Sequence, residues 1–427
     1  MPEPMSDLDL RLAAALDAMR EPAVVQTGAA ERIAARAVIA NAPLARASTW
    51  SVRAAAALAL VALGAGATTL LPRYGAPRAP GQSPVAAAST PRRAADDRQS
   101  HVHIDTKQEH DMGISQTSYA GSGATVLATA GNYGRQPTGY RLPDATRIRA
   151  VTLQVSDLAR SRNFYENILG FHAISVVADR VTLGAAGDTC VLIELIEHRG
   201  GKQRTHRKSL GLYHTAILLP TRGDLGRFLK HASDAGVRVG AGDHIVSEAL
   251  YLQDPDDLGI EVYADRPREG WQQSNRELAM GTDPVDYRAL LAAGGDAKWT
   301  GMPAGTTIGH VHLHVGDIAE GAAFYADAIG FDRMVWSLPS ALFMAAGGYH
   351  HHLGTNIWAG PDATSPTVSE PQLLEWVLEV PTAQDVTDVA GSLQAAGFTA
   401  EFAADGTSFI TSDPWGTALR IASRDGE

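Results

Sequence analysis

An internal repeat limits the folds that this chain can adopt. Residues 151–157 (VTLQVSD) precede 164–171 (FYENILGF), and residues 311–317 (VHLHVGD) precede 324–331 (FYADAIGF). The two copies are 160 residues apart at every matched position. In each copy, alternating apolar residues predict a strand, the Phe-Tyr segment predicts a helix, and Gly-Phe predicts the end of that helix. Such a spacing indicates that one supersecondary unit is repeated.

A second pair of related segments lies between and after these copies. Residues 214–220 (HTAILLP) match 375–381 (EWVLEVP), and Ala-Gly and Asp-Pro follow at similar distances in both. The segments predict four strand–helix–three-strand (βαβββ) modules, numbered 1 to 4, at about 147–200, 208–265, 306–360 and 372–424. We therefore expect an α+β protein whose four modules pair into two cupped-sheet domains. In chain order, 143–265 holds modules 1 and 2, 266–305 is a connector, and 306–427 holds modules 3 and 4.

The N-terminal extension, residues 1–142, lacks this repeat. Residues 54–71 contain no charged side chain over 18 positions, which reaches the lower length limit of a membrane-spanning helix. They are built mainly from Ala, Gly and Thr, so a membrane-spanning helix and a non-spanning segment stay as alternatives. From Pro72 to about Arg141, a Pro-, Ala-, Ser-, Gly- and Arg-rich composition predicts a disordered linker. We expect a cytoplasmic protein, or one tethered to the membrane through 54–71.

Charge and cysteine content exclude two kinds of function. The formal net charge is −11, which excludes nucleic-acid binding because phosphate contacts need clustered Lys and Arg. Cys190 is the single cysteine, so an internal disulfide and a multi-cysteine zinc site are excluded. Its segment, TCVLIEL, predicts a buried strand position for the thiol. Any metal must therefore bind through His and carboxylate side chains.

Candidate metal ligands lie in the two middle modules. His214 begins the first strand of module 2, and Glu261 lies in the last strand of that module. His310, His312 and His314 alternate along the first strand of module 3, so they share one face. Two His and one carboxylate from adjacent strands can form a facial triad that leaves positions open on an octahedral metal, as non-haem Fe(II) sites do. A buried Glu without a partner is costly, which favours a ligand role for Glu261.

The matching positions in modules 4 and 1 carry different residues. Glu261 aligns with Arg420, His214 with Glu375, and His310 with Ala150. An Arg and a Glu can pair with each other but cannot hold a cation. The ligands come from modules 2 and 3, so we predict that these modules share one sheet. Modules 1 and 4 then share the other, where Glu375 and Arg420 form an ion pair.

Together these segments resemble the vicinal oxygen chelate superfamily, and most closely its type I extradiol catechol 2,3-dioxygenases. The resemblance covers about 143–427. The strings that carry it are RLPDATRIRAVTLQVSDLARSRNFYENILGF, LYHTAILLPTRGDL, DHIVSEALYLQDPDDLGIEVYADRPREGW, GTTIGHVHLHV and GGYHHHLGTNIW.

The resemblance implies a site and a reaction. It implies that His214, His310 and Glu261 bind Fe(II), with Mn(II) as an alternative metal and His312 as the alternative to His310. It implies that His351 is the acid–base residue beside O₂ and that Tyr251 and His244 lie near the hydroxyl groups of a bound catechol. The implied reaction opens the ring beside these hydroxyls and gives a 2-hydroxymuconate semialdehyde. The candidates for an apolar pocket wall are Trp358, Phe343 and Leu250. We also expect a homo-oligomer.

Two other functions are compatible with the same modules. A glyoxalase-like isomerase usually has four protein ligands and binds Ni or Zn. A metal-free binding protein of the bleomycin-resistance kind gives no reason for three convergent ligands. The identity of the bound metal and catechol-dependent O₂ uptake separate these possibilities. In either case, residues 1–142 could be a membrane-anchored regulatory segment.

Overall fold

The computed structural model describes residues 124–201 and 208–424. Within these ranges the chain forms two eight-stranded sheets and one three-stranded sheet. None of the helices found there combines the length and apolar character needed to cross a membrane. The segment 54–71 lies outside the described residues.

The elements follow the repeat that the sequence predicts. A short strand, β1 (Val126–Leu127), precedes module 1. Module 1 contains β2 (Arg147–Val155), α1 (Leu158–Phe164), β3 (His172–Val177), β4 (Arg180–Gly184) and β5 (Ile193–Glu197). Module 2 contains β6 (Gly211–Leu218), α2 (Arg222–Asp234), β7 (Gly240–Asp243), β8 (Ser247–Gln253) and β9 (Gly259–Asp265).

The connector and the second half of the chain continue the series. The connector forms β10 (Gln272–Ser274), β11 (Glu277–Leu278) and α3 (Tyr287–Gly294). Module 3 contains β12 (Thr307–His314), α4 (Ile318–Ala322), β13 (Asp332–Val335), β14 (Ala341–Ala345) and β15 (Leu353–Asn356). Module 4 contains β16 (Gln372–Val380), α5 (Ala383–Ala395), β17 (Glu401–Phe402), β18 (Ser408–Ser412) and β19 (Ala418–Ser423).

Each module's helix begins at a side-chain cap. The side chains of Asp157, Thr221, Asp317 and Thr382 each accept a hydrogen bond from the backbone N–H three residues further on. Such caps satisfy N–H groups that have no partner within the helix. The helices of modules 1 and 3 continue as π-helical segments, Tyr165–Leu169 and Ala323–Ile329. Both end at a glycine in the left-handed conformation, the Leu/Ile-Gly-Phe stop that the sequence predicts.

The modules pair across the two halves of the chain. Sheet A joins modules 3 and 2 in the order β13-β14-β15-β12-β6-β9-β8-β7, and sheet B joins modules 4 and 1 in the order β17-β18-β19-β16-β2-β5-β4-β3. The first strands of the two modules run antiparallel at the centre of each sheet, β6 with β12 and β2 with β16. The predicted pairing is therefore confirmed: each half of the chain, 143–265 and 306–427, gives one module to each sheet.

Both central strand pairs contain the same two bulges. The ladder register skips Tyr213 and Gly309 in sheet A, and it skips Leu374 and Arg149 at the matching places in sheet B. A bulge turns neighbouring side chains of a strand toward the same side. The bulges therefore belong to the repeated module, and the residues placed on them differ between the sheets.

One continuous apolar core includes residues of all four modules. Val151, Phe228, Leu313 and Trp376, one from each module, are buried members of it. In α2 and α5 the buried residues recur every three or four positions, as expected for helices with one apolar face against a sheet.

The end of the predicted disordered linker is ordered. Strand β1 pairs antiparallel with β10 of the connector, and the Tyr133 hydroxyl donates a hydrogen bond to the Gly348 carbonyl, 2.6 Å away. The linker expectation is wrong for residues 124–141. A strand of two residues has no periodicity, so its pattern could not be recognised. The remainder of the predicted linker, up to residue 123, lies outside the described residues.

The prediction for Cys190 is wrong. This residue is exposed, and the strand begins only at Ile193. The Asp188 side chain accepts a hydrogen bond from the Cys190 backbone N–H at 2.9 Å. This local turn holds the backbone away from the strand ladder.

Helix α3 of the connector contacts α2 closely at Gly226. This close approach predicts how a substitution there changes stability. A Cβ atom on Gly226 would overlap the carbonyl oxygen of Leu290 in α3. We expect Gly226→Ala to lower the free energy of unfolding by about 1–3 kcal/mol, because neither backbone can yield without cost.

Gly391 in α5 is the matched control, since a Cβ atom there meets nothing within 4 Å. Gly391→Ala should raise the free energy of unfolding by about 0.4–1 kcal/mol. Urea denaturation of both variants measures these changes. A Gly226→Ala variant as stable as the parent protein would contradict the described helix contact.

Candidate metal centre

Three side chains from modules 2 and 3 converge in sheet A. A carboxylate oxygen of Glu261, Oε2, lies 3.0 Å from Nε2 of His214 and 3.1 Å from Nε2 of His310. The two imidazole Nε2 atoms are 3.4 Å apart. All three residues are buried, with exposed fractions of 5% or less. We call this group the His–Glu–His cluster.

Strand register brings the cluster together. On β6, Ala216 pairs with Glu261 of β9 on one side and with His310 of β12 on the other. His214 lies two residues earlier on β6, so its side chain is on the same face as Ala216. The small side chain of Ala216 leaves the space between its two neighbours free. His310 is 49 residues from Glu261 and 96 from His214 in the sequence. The pairing of β6 with β9 and with β12 brings the three side chains together.

The charges of the cluster suit a cation. Burial on its own raises the pKa of Glu261. The electrostatic attraction to His310 and the hydrogen bonds with both imidazoles outweigh burial and hold this pKa well below its usual range. Burial lowers the pKa of His310 to about 4, although Glu261 opposes the change. At neutral pH the carboxylate is therefore ionised and His310 is neutral, as metal ligands must be.

The distances fit one divalent ion. Ligand atoms bound at about 2.0–2.2 Å and at right angles to one another lie roughly 3 Å apart. The separations of 3.0, 3.1 and 3.4 Å are close to that value. Among the residues that the structure describes, this is the one group of His, Cys, Asp and Glu side chains close enough to hold a metal. Three protein ligands leave further positions of an octahedral metal open.

The remaining histidines of β12 have other partners. The Asn356 amide donates to Nε2 of His312 at 2.9 Å, and its Oδ1 accepts a hydrogen bond from Nδ1 of His314 at 2.6 Å. The structure therefore brings His310, and not His312, to the cluster. His312 instead lines the adjacent cavity.

Sheet B has an ion pair where sheet A has the cluster. Arg420 donates from Nε and Nη2 to the two carboxylate oxygens of Glu375, at 2.8 and 2.9 Å. Ala150 occupies the place of His310, next to Val377 on β16. The predicted ion pair is confirmed. Because the guanidinium of Arg420 binds both carboxylate oxygens of Glu375, that carboxylate is not available to a metal ion.

A cavity opens beside the His–Glu–His cluster. Its empty volume, which includes the part open to solvent, is about 620 Å³. Its wall includes the cluster and the following residues: Tyr213, His244, Tyr251, Met280, Gly281, Thr282, His312, Val335, Leu338, Phe343, His351 and Trp358. The predicted wall residues Phe343 and Trp358 are among them. Leu250 lies in the apolar core instead, because it alternates with Tyr251 along β8.

His244 and Tyr251 form one hydrogen-bonded unit in this wall. Nε2 of His244 is 2.6 Å from the Tyr251 hydroxyl, and its Nδ1 is 2.7 Å from the carbonyl oxygen of Gly281. Burial and the charge of Glu261 raise the pKa of Tyr251 well above its usual value, so the phenol is neutral. The contact with Gly281, which lies in the connector, could not be predicted from sequence spacing.

His351 belongs to a chain of buried groups. Its Nδ1 is 2.7 Å from Nδ1 of His350, whose Nε2 is 2.9 Å from a carboxylate oxygen of Asp265. Sequence reasoning missed His350 and Asp265. A signal existed for Asp265, because it alternates with Tyr263 and Glu261 along β9 and shares their face.

Tyr213 is a further residue that sequence reasoning missed. It occupies the β6 bulge beside His214 and lines the cavity. Its hydroxyl is buried and has no hydrogen-bond partner among the described residues. Strand alternation would have placed Tyr213 and His214 on opposite faces, so the bulge hid it from pattern analysis.

We expect the His–Glu–His cluster to determine metal binding. Glu261→Gln should lose most of the bound metal while keeping its fold, because the amide has the same shape but no charge. Glu375→Gln, which alters the matching site in sheet B, is the control and should keep the metal. Metal analysis after reconstitution, with circular dichroism of each variant, measures both. Unchanged metal content in Glu261→Gln would rule out the cluster.

The sequence matches a known family over both halves of the chain. A family model described as Glyoxalase/Bleomycin resistance protein/Dioxygenase superfamily matches residues 147–262 and 307–421. Catechol-2,3-dioxygenase from Bacillus subtilis (strain 168) is 42% identical over 271 residues, which are 63% of this chain and 94% of that protein.

Comparison with solved structures finds two enzymes among its matches. Glyoxalase I from Zea mays is 15% identical with a TM-score of 0.38, over 65% of this chain and 92% of that one. A mutant of homoprotocatechuate 2,3-dioxygenase from Brevibacterium fuscum is 16% identical with a TM-score of 0.25, over 67% and 74%. The family model covers the strands of the cluster and more than half of the sequence, and the chain therefore belongs to the Glyoxalase/Bleomycin resistance protein/Dioxygenase superfamily.

Proposed function

We propose that this protein is an Fe(II)-dependent extradiol dioxygenase that opens the ring of catechol or a substituted catechol with O₂. The observation that carries the proposal is the buried His–Glu–His cluster beside a cavity. Two His and one carboxylate are the ligand set of non-haem Fe(II) oxygenases, which keep positions open for substrate and O₂. The similarity to a protein named catechol-2,3-dioxygenase supports the substrate class. The proposed product is a 2-hydroxymuconate semialdehyde.

His214, Glu261 and His310 would hold the metal. The bound ion would supply a Lewis acid that favours loss of a catechol proton and a site where catechol and O₂ meet. Mn(II) accepts the same ligand types, so it is the second metal to test.

His351 is proposed to take up and return a proton. It lines the cavity, and its ring centre is 4.0 Å from that of His310. Burial, followed by the neighbouring histidines, lowers the pKa of His351 well below its usual value. A neutral imidazole beside the open metal positions can accept a proton from a substrate hydroxyl and donate it at a later step.

Tyr251 and His244 are proposed to orient the substrate. The Gly281 carbonyl can only accept, so Nδ1 of His244 donates to it, and this leaves the lone pair of Nε2 to accept the Tyr251 O–H. With its proton committed to His244, the Tyr251 oxygen offers a lone pair to a substrate hydroxyl. A catechol could thereby be held in one orientation above the cluster.

The donor set favours this function over the alternatives. A glyoxalase-like isomerase usually has a fourth protein ligand, and among the described residues three groups converge. His312, the nearest further imidazole on β12, is hydrogen-bonded to Asn356 through its Nε2. A metal-free binding protein would have no need to bury an ionised Glu261 between two imidazoles.

Oxygen uptake tests the proposal directly. Protein reconstituted anaerobically with Fe(II), or with Mn(II), is mixed with a panel of catechols in an oxygen electrode. We expect O₂ consumption that depends on both metal and catechol and that is lost in Glu261→Gln but kept in Glu375→Gln. Metal-loaded protein that consumes no O₂ with any catechol would contradict the function.

Variants of the cavity wall separate chemistry from metal retention. We expect His351→Gln to keep its metal and to lose about 10²–10⁴-fold in kcat, the contribution of a general acid–base group. Tyr251→Phe should have a smaller effect, because one hydrogen bond disappears and the ring stays. Steady-state kinetics and metal analysis are made on the same preparations. Loss of metal from His351→Gln would reassign this residue to ligation.

A further inference from the structure

A chain of hydrogen bonds leads from His351 to the edge of the protein. It runs from Nδ1 of His351 to Nδ1 of His350 at 2.7 Å, and from Nε2 of His350 to Oδ1 of Asp265 at 2.9 Å. The side chain of His350 is fully buried, whereas that of Asp265 is 27% exposed. No step proposed above uses His350 or Asp265.

The donor and acceptor roles along this chain follow from its ends. A carboxylate can only accept, so Nε2 of His350 must donate to Asp265. A neutral His350 then has its lone pair on Nδ1, and the short contact requires Nδ1 of His351 to be the donor. This leaves the lone pair of His351 on Nε2. Because the two imidazoles contact each other through their Nδ1 atoms, the hydrogen bonds assign the basic nitrogen of His351 to Nε2.

We propose that Asp265 and His350 are positioning residues that hold His351 in the tautomer protonated at Nδ1, with Nε2 free to accept a proton. The inference rests on the acid–base role proposed for His351. In the opposite tautomer Nε2 carries a hydrogen and cannot take a proton from a substrate hydroxyl. With the chain in place, Nε2 is the atom of His351 that can take the proton of the hydroxyl. The Nδ1–H of His351 stays hydrogen-bonded to His350, so the ring keeps its orientation during this transfer.

Packing fixes the rings of the chain. The His350 ring lies 4.1 Å from the Tyr349 ring and 5.5 Å from the Trp271 ring, centre to centre. The Phe343 ring packs edge-on against His351 at 5.1 Å. The Tyr349 hydroxyl donates to the same Asp265 oxygen at 3.2 Å. Neither imidazole can therefore turn over without displacing aromatic neighbours.

The chain is attached to the strand that carries the carboxylate of the His–Glu–His cluster. Glu261 and Asp265 both lie on β9 and point to the same face. In sheet B the residues at the places of His350, His351 and Asp265 are Cys190, Val191 and Arg424. The sheet with the ion pair thus lacks this chain, as expected if the chain serves the cluster in sheet A.

Nitrogen NMR measures the tautomer without relying on activity. Protein with ¹⁵N-labelled histidine is loaded with diamagnetic Zn(II), and long-range ¹H–¹⁵N spectra identify which nitrogen of each ring is protonated. His351→Gln assigns the His351 signals by their disappearance. We expect His351 protonated at Nδ1 in the parent protein. An Nε2-protonated ring in that spectrum would overturn the proposal without any further variant.

Kinetics of an Asp265 variant test the consequence. Asp265→Ala should release His351 into a mixture of tautomers and lower kcat about 10–100-fold, the usual effect of losing such a supporting partner. Metal content and the KM for catechol should change less than about twofold, since neither the cluster nor Tyr251 is touched. Asp234→Ala, at an exposed carboxylate on α2, is the control and should leave all three quantities unchanged.

The outcomes separate this proposal from the proposed function. Unchanged kcat and an unchanged tautomer in Asp265→Ala would overturn the positioning role. If Asp265→Ala does not fold, His350→Phe removes the acceptor of the His351 Nδ1–H directly while filling the space of the ring, and the same criteria apply. If the parent protein shows Nδ1 protonation but turns over no catechol, the proposed function fails while the assignment of the tautomer stands.

Discussion

The antiparallel pairing of β6 with β12 is the contact on which the candidate site depends. It joins module 2 to module 3 and places His310 beside Ala216, with Glu261 on the other side of that residue. Neither half of the sequence repeat contains all three candidate ligands. A shift of one residue in this register would turn the imidazoles of β12 to the opposite face. Folding of sheet A and assembly of the cluster are therefore the same event.

The two sheets have the same strand order but stabilise a carboxylate with different partners. In sheet A the carboxylate of Glu261 is buried between two imidazoles, and in sheet B Glu375 is paired bidentately with Arg420. A charge buried alone would cost several kcal/mol, so each sheet needs a partner for it. A guanidinium satisfies the carboxylate permanently, whereas imidazoles leave lone pairs that can bind a cation. The difference between the sheets thus lies in side chains and not in strand order.

The sequence predicted those parts of the fold that repeat or alternate. The spacing of 160 residues identified the modules, and strand alternation placed His310, His312 and His314 on one face. The choice of His214, Glu261 and His310 as the candidate set followed from their module positions and from the family resemblance. The pairing of modules 2 and 3 followed because ligands of one ion must meet. The glycine stops of the first and third module helices were equally visible, since such a stop is a local rule.

Features that depend on contacts between distant segments were not predictable. β1, for example, is ordered by pairing with β10 of the connector, which lies far along the chain. The bulge at Tyr213 breaks the alternation on which pattern analysis relies. His350 and Asp265 are 85 residues apart, and nothing in either segment alone indicates the other. Sequence reasoning therefore gave the candidate ligands, whereas the groups that contact the cavity beside them required the structure.

The position of the metal is the most direct test of this account. Diffraction from crystals of metal-loaded protein, measured at the absorption edge of the metal, locates the ion without relying on activity. The account predicts one anomalous peak in sheet A, about 2.0–2.3 Å from Nε2 of His214, Nε2 of His310 and a carboxylate oxygen of Glu261. A peak bound by other residues, or one beside Arg420 in sheet B, would contradict it.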